Sequence, residues 1–209
     1  MNTASFTLTK NLLGIAALIA FFPALHAQES IEIGEAKKAA RKLSESAANI
    51  PDAPFVVDSD LEKPQGIKAE GVGVIVLPDR KLSVELLAAA NSAITPLGQL
   101  WTLKLALAKE GKPAETDTLR HFTISDGENE REVSLYYLGA TRTGAGGLEL
   151  VVYAKDKEPL LRVPINKKVA VKQEFPIEVS GVKNGDKSGT LSLRLFGEYD
   201  AQLILMREE

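Results

Sequence analysis

The chain has 209 residues, a formal net charge of −3 and no cysteine. The absence of thiols excludes thiolate metal sites and cysteine nucleophiles, and the mild acidic balance offers nucleic acid no basic face. It also means that the fold rests on its core alone, which suits a bacterial envelope better than an oxidising eukaryotic route.

Residues 1–27 read as a secretory signal peptide. Lys10 gives the positive start, Leu12 to Leu25 form an apolar run, and Ala27 offers a cleavage site. The run is shorter than the roughly 20 residues of a comfortable membrane span. Cleavage removes one basic residue and no acid, so the remaining chain carries 24 − 28 = −4 over 209 − 27 = 182 residues. That length suffices for one sizeable core. A periplasmic or secreted protein with no membrane span after cleavage is the expectation.

Residues 28–54 form a helix followed by a proline-containing linker. Ala36, Ala39, Ala40, Leu43 and Ala47 recur at helical spacing, and Lys37, Lys38, Arg41 and Lys42 surround them. The stripe is mostly alanine, so it buries little area and predicts weak docking. A helix lying on a membrane would carry larger apolar residues. The segment "NIPDAPF" then ends the helix with two prolines.

Residues 55–209 read as a single β domain. "GVGVIVLPD" (71–79) is a β-branched run stopping at Pro-Asp. One short helix is expected near 83–91, with Ser83 as N-cap, Glu85 in the first turn and Asn91 at its close. In "LWTLKLALA" (100–108), Trp101, Leu103, Leu105 and Leu107 alternate with smaller or polar residues, which predicts one strand with one buried face. Further strands are "LRHFTIS", "REVSLYYLGA", "LELVVYA", "PLLRVPI" and "FPIEVS", and "TLSLRLFGEYDAQLILM" divides at Gly197-Glu198. Pro164 and Pro176 mark edges or bulges, because proline cannot donate to a ladder. The spacing of strands and turns predicts a mainly β fold: an antiparallel β-sandwich, Ig-like or jelly-roll-like.

The glycine-rich loop in "GATRTGAGGLELVVYA" (139–154) invites a phosphate-binding reading. Gly139 and Gly144 have P-loop spacing, but Ala145 and Gly146 stand where lysine and a hydroxyl residue belong. A strand, not a helix, follows. The loop therefore reads as a hairpin turn whose glycines supply positive φ. Symmetry about Ala145 pairs Tyr137 with Tyr153, and two adjacent rings could form a ligand-binding stacking platform for a sugar or peptide.

Little else carries chemistry. His121 is the one histidine after the leader, which rules out a histidine-rich zinc site, and no serine elbow accompanies it. Asp126, Glu128, Glu130 and Glu132 cluster at a turn, without EF-hand order. No metal or cofactor is expected. Three functions remain open at this point. One is an exported non-catalytic binding or structural module of the envelope, recognising a protein surface or glycan. The others are a carboxylate-dependent hydrolase and an assembly subunit pairing through edge strands such as "AQLILM" (201–206).

Overall fold

A computed structural model describes residues 28–48, 50–126 and 129–208. The expected leader (1–27) and Glu128 lie outside the described residues. The fold is mainly β and antiparallel. Its elements are β1 (Glu29–Ser30), α1 (Ile33–Ala47), β2 (Gln65–Ala69), β3 (Val72–Pro78), α2 (Val84–Ala88), β4 (Thr95–Leu103) and β5 (Leu105–Lys109). There follow β6 (Lys112–Pro113), β7 (Arg120–Asp126), β8 (Asn129–Arg142), β9 (Leu148–Tyr153), β10 (Leu161–Lys167), β11 (Ile177–Lys183), β12 (Ser188–Leu195) and β13 (Tyr199–Arg207).

The strands form one hydrogen-bonded path, β1-β2-β3-β4-β8-β9-β10-β13-β12-β11, curled into a half-barrel. Of the expected sandwich, the mainly β, antiparallel character holds; the path is joined between β10 and β13 by two residue pairs, Asn166 with Asp200 and Lys167 with Tyr199. The curl depends on a corner. Lys104 takes φ 55, so the predicted strand 100–108 splits into β4, which pairs with β3 and β8, and β5, which pairs with β13. Alternation fails across the corner. Trp101 and Leu103 face outward under α1, whereas Leu105 and Leu107 belong with the inner core.

The corner is held by buried polar groups. The Thr102 hydroxyl donates to the Leu105 carbonyl at 2.6 Å, and the Leu107 amide donates to the Tyr136 hydroxyl at 3.3 Å. Tyr136 is fully buried, which satisfies the requirement that an interior amide find a partner.

Two cores lie on opposite faces of the sheet. The inner one joins Leu100, Tyr136, Leu138 and Leu150 to Leu193 and Leu203 of the far strands. The outer one joins Leu43 of α1 to Leu77, Trp101, Leu135 and Val151. Ala36 and Ala40 are buried, so small side chains let α1 approach closely while filling little volume.

Ser83 caps α2 as expected, its hydroxyl accepting from the Leu86 amide at 3.1 Å. α2 ends earlier than expected, at Ala88, and Asn91 lies in the next turn, where its side chain accepts from Ala93. Arg142 of β8 reaches back and donates to the Ala88 and Ala90 carbonyls, both at 3.0 Å. A cation there satisfies carbonyls that a helix C-terminus leaves open. β13 is not the edge expected of "AQLILM": it pairs with β12, β10 and β5. Pro164 sits where β10 pairs with β9 but not yet with β13, and Pro176 precedes β11.

Burial pushes the Tyr136 phenol far above its ordinary value of 10.0. The folded state then keeps a proton that the unfolded chain loses, so stability is intact below pH 10.0 and falls as pH rises from there. Tyr136→Phe is expected to cost about 1–2 kcal/mol at neutral pH, because the Leu107 amide loses its partner. It should also remove up to about 1.4 kcal/mol per pH unit from the alkaline decline. Urea unfolding at neutral pH and above pH 10.0 measures both.

Candidate functional site

The β8–β9 hairpin brings Tyr137 opposite Tyr153, Leu138 opposite Val152 and Ala140 opposite Leu150, the register expected from the sequence. Its turn is closed by Thr143 and Gly146: the Thr143 amide donates to Gly147 and the Gly146 amide to Thr143, both at 2.8 Å. Only Gly146 of the loop has positive φ, at 84. Gly139 is not a turn residue. It lies within β8, where a Cβ would stand 2.6 Å from Ile94 Cγ2 and 3.2 Å from Phe55 Cζ. Its absent side chain lets the linker press onto the sheet.

That linker covers the tyrosine pair. Tyr137 is 3% exposed and Tyr153 8%, and Phe55 meets their rings edge-on at 5.8 and 5.6 Å. Burial pushes the Tyr137 phenol upward. With both faces covered, a sugar or peptide has no ring on which to stack. The pairing was readable from the hairpin; the cover was not, because Phe55 sits in an aperiodic proline segment.

His121 meets Ser134 and Glu132 in an arrangement that resembles a triad only by composition. Its Nδ1 lies 3.1 Å from both the Ser134 hydroxyl and Glu132 Oε1, while Nε2 lies 3.1 Å from the Thr116 carbonyl. A triad needs one ring nitrogen for the serine and the other for the acid. Here both claim the same atom, and Nε2–H is occupied by a carbonyl. Ser134 is 2% exposed and also donates to Glu208 at 3.3 Å, so no substrate carbonyl can reach it. The cluster is structural.

Glu130 and Glu132 are exposed on β8. Among the described residues, the carboxyls displaced from their ordinary range move down: Asp52 through its hydrogen bond with Arg120, Glu62 through Lys37, and Glu85 through a backbone hydrogen bond at the start of α2. A hydrolytic acid requires a shift upward. Among the described residues, no three side chains are grouped to hold a metal.

A groove of about 770 Å³ lies between α1 and the outer face of the sheet. Ile75, Trp101, Leu103, Ile124 and Val133 form its floor, and Ala39 and Leu43 its helical wall. It exists because the alanine face of α1 fills so little space. Its volume lies in the range of ligand sites. A narrower cleft, about 90 Å³, separates the β2–β3 hairpin from β11 and β12, where the ends of the curled sheet approach one another. The chain matches no known family, no curated protein and no solved structure.

Phe55→Ala should return the Tyr137 phenol toward its ordinary value, since burial is the main cause of its rise. Absorbance titration of phenolate measures that, and the half-buried ring should cost about 2 kcal/mol in urea unfolding. Gly139→Ala is expected to cost about 1–3 kcal/mol by overpacking against Ile94 and Phe55.

Proposed function

We propose that the protein is an exported, non-catalytic binding module of the bacterial envelope that takes a protein surface in the groove beneath α1. The groove, apolar in its floor and charged at its rim, is the observation that carries the reading. It favours a protein over a glycan, because sugars stack on open aromatic faces and the aromatic side chains in and beside this groove are covered. Export follows from the leader, and no described helix is long and apolar enough to cross a membrane. The two ends of the curled sheet face each other across the inner core, and on this reading they serve as the layers of a sandwich-like scaffold. Hydrolysis gains no support from carboxyls that are shifted downward.

In-cell photo-crosslinking tests the reading. A crosslinker at Ile124, in the groove, should capture a defined partner in the periplasmic fraction. One at Val182, exposed on β11, should not. Ala39→Phe, which fills the groove from the helical wall, should abolish the Ile124 product without unfolding the protein. Identical products from Ile124 and Val182, or no processing near Ala27, would count against it.

A further inference from the structure

We infer that the groove receives an amphipathic segment of its partner whose polar side is acidic. This rests on the groove being a protein-binding site and adds the chemistry of what binds. The first observation is shape. The groove has an apolar floor and one helical wall, and the Lys38 and Arg131 side chains at its rim are exposed to solvent. A wholly apolar guest, such as an acyl chain, would leave much of its surface in water there. An amphipathic segment turns its apolar side chains to the half-buried Ile75, Leu103 and Ile124 and its polar side outward, the mode by which helices occupy grooves.

The second observation is charge. Of the three rim acids, Glu29 stands opposite Lys68 in the β1–β2 register, and the other two are in ion pairs. Glu35 accepts from Lys68 at 3.0 Å, and Glu70 pairs with Arg207 at 3.4 Å. Lys42 donates to the Ser125 carbonyl at 3.1 Å. Lys38 on the α1 wall and Arg131 on the opposite wall have no carboxylate partner among the described residues. Among the described residues these two place an unpaired cation on each wall, and a segment lying between them meets both. Both are exposed, so they select among partners and speed encounter more than they add affinity.

Trp101 is the single tryptophan of the chain and lines the floor, so its emission reports occupancy. Two synthetic peptides of about 14 residues, four helical turns, share one leucine spacing and carry either glutamate or lysine at every polar position. The exported protein should show a saturable emission change with the glutamate peptide. The lysine peptide should bind about tenfold more weakly, with the gap closing as salt rises. In the Lys38→Glu, Arg131→Glu double variant, the order of the two peptides should reverse. Equal binding of both peptides, or an unchanged order in the double variant, overturns the acidic partner and leaves the groove reading standing. Silence from both peptides together with a partner crosslink insensitive to Ala39→Phe overturns both. A response to phosphatidylglycerol vesicles but to neither peptide overturns the inference in favour of a membrane surface.

Discussion

A single left-handed residue organises this molecule. By taking φ 55, Lys104 lets one chain segment leave the sheet that carries β3 and β8 and join β13 at the other end of the ladder. A left-handed lysine is uncommon and costs conformational energy. The bonds around it, Thr102 to the Leu105 carbonyl and the Leu107 amide to Tyr136, offset that cost by pairing polar groups of the corner. The curl, the inner core and the exposed outer face all follow from that turn in direction.

The outer face then needs a cover, and α1 with its linker supplies an incomplete one. Ala36 and Ala40 permit close approach, Leu43 alone reaches deeply, and Phe55 seals the tyrosines. Ion pairs fasten the helix at its rim, including Lys37 with Glu62 at 2.8 Å. These are exposed and worth little individually. The groove is what remains between a helix that approaches closely and a sheet whose side chains are large.

Much of the β content was legible. Period two marked the strands, and the hairpin symmetry about Ala145 set the register of Tyr137 against Tyr153 through purely local geometry. The corner was not legible, because nothing in "TLKLAL" distinguishes a left-handed lysine from one in a strand. The position of β13 was equally hidden: its partners β5 and β10 are distant in sequence, and an alternating apolar run suits a central strand as well as an edge. The groove had a faint signal, the alanine-rich stripe of α1, which predicted little buried area without saying that the area left bare would be a trench. His121 and Ser134 come together only through the β7–β8 register, and the tautomer demands that disqualify them as a triad exist only in three dimensions.

The placement of β13 also bears on when folding can finish. β13 pairs with β5 across about a hundred positions of chain, and such distant closures dominate slow, high-contact-order folding. During synthesis, a nascent chain cannot seal its inner core until residues 199–207 have left the ribosome. For nearly the whole of its translation, then, the apolar faces of β4, β8 and β9 have no far wall to close against.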